Sequence, residues 1–185
     1  MADVIITSAE RPAGVAEPIK KSDGGQEPYW DLIELLFFAY RDFVGDPDEV
    51  LAKLGFGRAH HRVLHFVNRN PGIKVADLLD ILKITKQSLG RVLKQLIDEG
   101  YVAQRAGPHD RRQRLLYASE AGEALALQLA GLQTERISRV LGKLGPGARD
   151  AARRFLAGMT DDPDHVLRQI HSADHPPPGG RENGS

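Results

Sequence analysis

The strongest constraint on the fold comes from residues 85–98, where apolar side chains recur with the period of an α-helix. Five of them fall at i, i+3, i+4, i+7 and i+8, within roughly 140° of one another on a helical projection: Leu89, Val92, Leu93, Leu96 and Ile97. Thr85 is a favourable N-cap, and Gly100 accepts the left-handed conformation that ends a helix. The pattern predicts a capped helix with one buried side.

The opposite side of this helix is polar and mostly basic. The major groove of DNA is about 12 Å wide and admits one α-helix, where glutamine can pair with adenine and arginine with guanine. Lysine is better suited to phosphate, which fixes register rather than sequence. We therefore predict a DNA-reading helix whose contact residues are Thr85, Lys86, Gln87, Ser88, Arg91 and Lys94.

Segments on either side of this helix complete a known DNA-binding arrangement. A short helix with apolar residues at helical spacing is predicted over 75–81, and a tight turn separates it from Thr85. After Gly100, strands are predicted over 101–106 and 114–118, joined by a loop that begins Gly107-Pro108. A short helix, a turn, a capped helix and a hairpin in this order predict a winged helix-turn-helix.

Charge is concentrated in the same region. The whole chain has 25 basic and 25 acidic residues, yet residues 83–114 contain eight basic and three acidic ones. A basic region on an otherwise acidic molecule gives a polyanion one place to bind. Because the narrow minor groove attracts arginine, the hairpin is predicted to contact DNA through Arg105, Arg111, Arg112 and Arg114.

Amphipathic helices are predicted before and after the basic region, and they have no obvious core except each other or a second subunit. The helix over 29–44 has an apolar stripe wider than one contact face needs, and a long helix is predicted over 120–144, followed by another that opens at Pro146. We expect a mostly α fold with a small β-hairpin wing, working as a homodimer. The predicted organisation is a flexible arm (1–28), a dimerisation helix and linker (29–57), the winged helix-turn-helix (58–118), C-terminal dimerisation helices (119–171) and a disordered tail (172–185).

Four short stretches resemble the multiple antibiotic resistance regulator (MarR) family of bacterial winged-helix regulators. They are Arg91-Val92-Leu93 to Leu96, Glu99-Gly100-Tyr101-Val102, Asp110-Arg111-Arg112 and Ser119-Glu120-Ala121-Gly122. The resemblance implies a homodimer that binds an inverted-repeat operator in double-stranded DNA, with repression commonly relieved by a small ligand. It also implies that Asp110 braces Arg112 as that arginine enters the minor groove. The chain departs from the family pattern where Lys83 occupies a turn position that often has glycine, where Gln104 and Arg105 shift the usual arginine by one place, and where Ala118-Ser119 replaces Leu-Thr.

The family resemblance further implies a ligand pocket where the dimerisation helices meet the winged helix-turn-helix (58–118), which we call the reading domain. The aromatic and imidazole residues expected there are Tyr40, Phe56, His60 and Phe66. Aromatic side chains in such places are also ordinary core residues, so the pocket is a hypothesis for the structure to address.

Two other classes of function compete with DNA reading. His61 and His65 lie at i, i+4 on one predicted helix, so a metal-sensing regulator is one alternative, although a metal site needs a third ligand. A dimeric helical adaptor is the other, but it would not need arginines at a hairpin tip. The sequence has no G-x-S-x-G, phosphate loop or H-E-x-x-H, so no enzyme, cofactor or bound metal is predicted.

Composition limits where the protein is expected to act. The chain has no cysteine, so disulfides and thiolate metal sites are excluded and a reducing compartment is favoured. Its first residues lack the basic start and apolar length of a secretory signal, and no segment offers the roughly 18 apolar residues of a membrane span. A cytoplasmic protein that does not enter a membrane is predicted.

Overall fold

The computed structural model describes residues 27–107 and 113–174. These ranges form seven helices and a three-stranded antiparallel sheet, which confirms the predicted mostly helical winged helix-turn-helix fold. The elements in chain order are α1 (Trp30–Ala52), α2 (Arg58–Arg69), β1 (Ile73–Lys74), α3 (Val75–Leu82), α4 (Lys86–Asp98), β2 (Val102–Ala106), β3 (Arg114–Ala118), α5 (Glu120–Leu141), α6 (Ala148–Gly158) and α7 (Pro163–Asp174).

Helix α2 lies at the centre of the domain and packs against α1, α3, α4, α5 and β3. Its Val63, Leu64 and Val67 are buried in the same apolar cluster as Leu89 and Leu96 of α4. Full burial of one such side chain contributes about 1.5–3 kcal/mol relative to exposure. The apolar side of α4 is thus fixed to the core, and its polar side faces solvent.

The turn between α3 and α4 depends on two residues. Lys83 ends α3 in the left-handed region, with φ 51° and ψ 44°, and is the non-glycine residue with positive φ among the described ones. Thr85 begins α4, because its Oγ1 accepts a hydrogen bond from the backbone N–H of Ser88 at 3.1 Å. The predicted cap is confirmed, and the turn adopts a backbone that glycine would favour although lysine occupies it.

The sheet has the strand order β1-β3-β2, with β3 in the middle. The hairpin runs in register from Val102 opposite Ala118 to Ala106 opposite Arg114. Strand β1 was not predicted. It has only two residues, too few to show an alternating pattern. Its position is set by antiparallel pairing with β3, in which Ile73 lies opposite Leu116.

Helix α1 is longer than the predicted helix over 29–44, because it continues through Pro47 to Ala52. A proline inside a helix removes one backbone hydrogen bond and is normally a stop signal. Here Pro47 is fully buried with Leu51, and Asp46 is held by Arg136 of α5 with Nη2 2.8 Å from Oδ2. Packing against α5 offsets the local cost of the proline.

The C-terminal helices also differ from the predicted boundaries. Helix α5 stops at Leu141 rather than residue 144, and α6 starts at Ala148 rather than Pro146, because Gly147 at φ 83° forms its N-cap. Helix α7 reaches Asp174, so the tail predicted from residue 172 is wrong for its first three residues. The helix-breaking prolines begin only at 176, and a proline restricts no residue earlier than the one before it.

Large apolar side chains remain exposed on the helices outside the reading domain. Helix α6 has no buried residue, and Phe155, Leu156 and Met159 on its apolar stripe are each more than half exposed. The first three turns of α1 are similar, with Trp30 63% and Phe37 68% exposed. None of the helices in the described ranges has the length and apolar character needed to cross a membrane.

Candidate nucleic-acid interface

The polar side of α4 is exposed along its whole length, and its apolar side is buried. All six residues predicted to contact DNA from this helix and its cap are exposed: Thr85, Lys86, Gln87, Ser88, Arg91 and Lys94. On the other side, Leu89 and Leu96 are fully buried. The structure therefore brings these six side chains together on one accessible surface, which we call the α4 face.

Lys94 forms an i, i+4 ion pair with Asp98 within the α4 face. The lysine and aspartate side chains are 75% and 55% exposed, and an exposed pair of this kind contributes only about 0–1 kcal/mol. Lys94 can therefore exchange Asp98 for a phosphate at small cost.

Helix α4 is also held by a polar contact to α2. Nε2 of His60 lies 2.8 Å from Oε1 of Gln95, while its Nδ1 accepts a hydrogen bond from the N–H of Gly57 at 3.1 Å. Because Nδ1 is an acceptor, the ring proton is on Nε2 and is donated to Gln95. The ring also stacks on Phe56, with centroids 4.8 Å apart. These contacts fix how far α4 is rotated about its own axis relative to α2.

Arg62 is a basic residue of the interface that the sequence did not single out. Its Nη2 donates a hydrogen bond to the carbonyl of Leu82 at 3.0 Å, the last residue of α3. Lys83 follows directly, so two cations lie beside the helix-turn-helix turn. Arg62 and Leu82 are twenty residues apart, and no local pattern could have shown that they meet.

The described part of the wing places two of its predicted contact residues. Arg114 opens β3 and is exposed, and the guanidinium of Arg105 lies over the ring of Tyr117, 4.9 Å from its centroid. The loop closes where the N–H of Gly107 donates to the carbonyl of Gln113 at 3.0 Å. The remaining predicted wing residues lie outside the described residues: Asp110, Arg111 and Arg112.

The wing and α4 are joined to the long helix α5 by a tight junction. Oγ of Ser119 donates a hydrogen bond to the carbonyl of Gly100 at 2.6 Å and accepts one from the N–H of Gly122 at 3.0 Å. The N–H of Ser119 donates to the carbonyl of Tyr101 at 3.1 Å. A Cβ at Gly122 would lie 2.0 Å from that same Tyr101 oxygen, so only glycine allows this approach. We call these contacts the Ser119 junction.

The four residues predicted to form a ligand pocket lie in three different surroundings. Phe56 is buried and stacked on His60, whereas Tyr40 is 56% exposed and lies beside the guanidinium of Arg58. Phe66 lines a separate cavity against α7. Phe56 and His60 pack against each other under α4, and the pocket stays a prediction.

Metal-binding residues are not clustered in the described parts of the chain. No group of three or more histidine, aspartate or glutamate side chains that could hold a metal ion occurs there. Burial is the main cause that lowers the pKa of both His61 and His65. The metal-sensing alternative thus lacks the third ligand that it requires within residues 27–107 and 113–174.

Comparison with known proteins gives a consistent match. Residues 54–113 match a family model described as the MarR family. The chain is 46% identical over 129 residues to the HTH-type transcriptional regulator PetP of Rhodobacter capsulatus, covering 70% of this chain and 78% of that protein. A SlyA-like transcription regulator from Listeria monocytogenes superposes with a TM-score of 0.60 at 16% identity, over 86% of this chain and all of that one. Bordetella bronchiseptica BpsR, solved in a study of the regulation of its DNA binding by 6-hydroxynicotinic acid, superposes with a TM-score of 0.55 at 22% identity, over 71% of this chain and 99% of BpsR.

Proposed function

The chain belongs to the MarR family of DNA-binding transcription regulators, and we propose that it acts as a homodimer that binds an inverted-repeat operator and represses transcription until a small ligand binds. Membership in a family of regulators also confirms that the chain is not an enzyme. One observation carries the proposal: the α4 face is exposed and polar, and the buried back of the same helix fixes it to the core.

Within the α4 face, two residues are proposed to read bases and two to bind phosphates. Gln87 and Arg91 have the forked donors and acceptors that pair with adenine and guanine, each worth about 1–3 kcal/mol of discrimination. Lys86 and Lys94 carry point charges suited to phosphate. The basic residues beside the turn and on the wing extend this charged surface toward the flanking phosphates and the minor groove.

Exposed apolar residues support a homodimer as the active form. Apolar side chains on the first turns of α1, the end of α5 and the stripe of α6 have no partner element among the described residues that buries them, and contiguous apolar surface of this kind marks protein interfaces. Because these helices lie outside the α4 face, a second subunit can cover them while both α4 faces remain free. A twofold dimer would place its two half-sites about one helical turn, roughly 34 Å, apart or a multiple of it.

A structural neighbour supports control by a small ligand. BpsR is described as a protein whose DNA binding is regulated by 6-hydroxynicotinic acid. We extend to this chain only the general property that a small molecule alters operator affinity, and we place the regulator in the cytoplasm with the DNA that it binds.

The test begins with selection of preferred duplexes from a random library by the purified protein, followed by affinity measurements at several salt concentrations. Arg91→Ala should relax the base preference at one position of each half-site, at a cost of about 1–3 kcal/mol on the selected duplex. Lys94→Ala should weaken binding to all duplexes alike and reduce the slope of log affinity against log salt by about one unit per phosphate contact. Lys143→Ala, which removes an exposed lysine far from α4 at the end of α5, is the matched control and should leave the slope unchanged.

Two results would refute the assignment of α4. One is an equal loss on every duplex for both Arg91→Ala and Lys94→Ala, because base reading and phosphate binding would then not be separable. The other is an unchanged salt slope for Lys94→Ala together with a reduced one for Lys143→Ala.

A further inference from the structure

One side of the wing sheet carries two basic residues beside an aromatic ring. The strand registers place Lys74 and Arg105 on either side of Leu115, in one row across the three strands. Buried Ile73 and Leu116 lie on the opposite side, because successive side chains of a strand alternate. None of the residues in the three strands is acidic. The side away from the core, which we call the outer side of the wing, consists of Lys74, Ala103, Arg105, Leu115 and Tyr117.

Arg105 reaches the outer side because of its position in β2. An arginine at position 104, where the family pattern has it, would lie on the side of Leu116 instead. At position 105 the guanidinium lies over the ring of Tyr117, 4.9 Å from its centroid. The two residues are diagonal neighbours on adjacent strands, a separation that long and aromatic side chains can bridge. The shift by one place thus gives this arginine an aromatic support.

The ring of Tyr117 is itself held by the turn that follows α2. Gly72 in this turn has φ 82°, and a Cβ there would lie 3.1 Å from Oη and 3.5 Å from Cζ of Tyr117. The N–H of Gly72 also donates a hydrogen bond to the carbonyl of Leu116 at 2.8 Å, which ties the turn to β3 beside the tyrosine. Because Tyr117 is half-buried and in contact with this turn, its ring is a fixed support for Arg105.

Stacking leaves the hydrogen-bonding groups of Arg105 available. A guanidinium has five N–H donors in its plane, and contact through its face uses none of them. No acidic side chain in the described ranges forms an ion pair with Arg105, and the residue is exposed. An arginine with a fixed orientation and available in-plane donors suits the oxygens of a phosphate.

The width of the minor groove decides what this arginine can reach. The groove is about 6 Å wide, whereas two paired strands about 4.8 Å apart are wider than this once their side chains are added. The loop between Ala106 and Arg114 can enter the groove, and the paired strands stay outside it, beside the phosphates. We propose that Tyr117 is a positioning residue that holds Arg105 for a backbone phosphate at the edge of the minor groove. The inference rests on the proposed function, which places the wing at that groove.

The salt dependence of DNA affinity tests the role of Arg105. The full-length protein is titrated with its selected duplex and with a random duplex of the same length. Arg105→Ala should weaken both about tenfold and lower the slope of log affinity against log salt by about one unit, because a phosphate contact carries no sequence information. Lys143→Ala is again the control and should leave the slope unchanged.

Variants of Tyr117 test the positioning role. Tyr117→Leu keeps the arginine but removes its support, so Arg105 must be ordered when DNA binds. Affinity should fall about two- to tenfold while the salt slope is kept, since the phosphate contact still forms. Tyr117→Phe retains the ring and should restore the affinity. With Arg105→Ala already present, Tyr117→Leu should cause no further loss.

Arg105→Lys gives the same comparison without altering the half-buried tyrosine. It keeps the charge but lacks the planar group that stacks, so its affinity and salt slope should match those of Tyr117→Leu. Denaturant unfolding of each variant checks that the fold is retained.

Three results would overturn the inference. An unchanged salt slope for Arg105→Ala would exclude a phosphate contact. A loss on the selected duplex alone would mean that Arg105 reads bases. Equal losses for Tyr117→Leu with and without Arg105 would show that the tyrosine acts on the wing as a whole and not through the arginine. Failure of the proposed function is separate, because the unsubstituted protein would then bind the selected and random duplexes equally.

Discussion

Gly122→Ala tests whether the Ser119 junction holds α5 against the reading domain. The added Cβ would lie 2.0 Å from the carbonyl oxygen of Tyr101 and 3.4 Å from Cδ1 of Leu64. The oxygen belongs to the backbone at the start of the hairpin and cannot rotate away as a side chain would. The first turn of α5 and the segment from Gly100 to Tyr101 must therefore move apart by at least about 1.4 Å for the contact to reach ordinary separations.

The expected cost follows from the contacts that this movement strains. Overpacking of a buried site costs about 1–3 kcal/mol, and weakening of the Ser119 cap adds about 1 kcal/mol. The higher helix propensity of alanine stabilises the variant by about 1 kcal/mol. A net loss of about 1–3 kcal/mol in the free energy of unfolding is expected, which for a chain of this size lowers Tm by about 2–12 °C.

The assay is thermal and denaturant unfolding of Gly122→Ala at the same protomer concentration as the unsubstituted protein, since the stability of a dimer depends on concentration. Gly131→Ala is the matched control, because a Cβ at that position of the same helix meets nothing within 4 Å. It should keep the stability or raise it by up to about 1 kcal/mol. If Gly122→Ala were as stable as Gly131→Ala, the close approach at Tyr101 would not exist and the reasoning would be wrong.

Two further predictions concern the dimer and the turn. Phe37→Glu places a charge among the exposed apolar residues of α1 and should shift the proposed dimer to monomers in sedimentation velocity at micromolar concentration. Lys53→Glu, at the polar end of the same helix, is the control and should leave the dimer intact. A dimer that survives Phe37→Glu would contradict the proposed interface. Lys83→Gly should raise the free energy of unfolding by about 0.5–1 kcal/mol in denaturant titrations, because it removes a left-handed lysine while adding the flexibility of glycine. Lys86→Gly, inside the first turn of α4, should lower it by about 1 kcal/mol, and a loss of stability in both variants would refute the argument for Lys83.

The parts of the fold that could be predicted are those specified by local periodicity. Helix α4 has a complete apolar stripe, a cap at Thr85 and a glycine at its end, and each signal lies within a few residues of the structure that it determines. The strands of the wing were predicted for the same reason, since a Gly-Pro loop and a short hairpin need only local information. The exposed α4 face followed directly from this pattern.

The errors arose where distant residues decide the structure. Strand β1 exists because Ile73 pairs with Leu116, forty-three positions away in the sequence. The extension of α1 past Pro47 depends on packing against α5, which no local rule reports.

The Ser119 junction restricts which movements of α5 can change DNA binding. Helix α5 has 22 residues and is therefore about 33 Å long, so a tilt of about 10° would move its far end by about 6 Å. Because Ser119 and Gly122 tie the near end of α5 to the last turn of α4 and the start of β2, α5 cannot tilt there without moving these DNA-binding elements with it. In the proposed dimer, a change in the spacing of the two α4 faces is then expected to originate where α5 is less constrained, at its exposed C-terminal half.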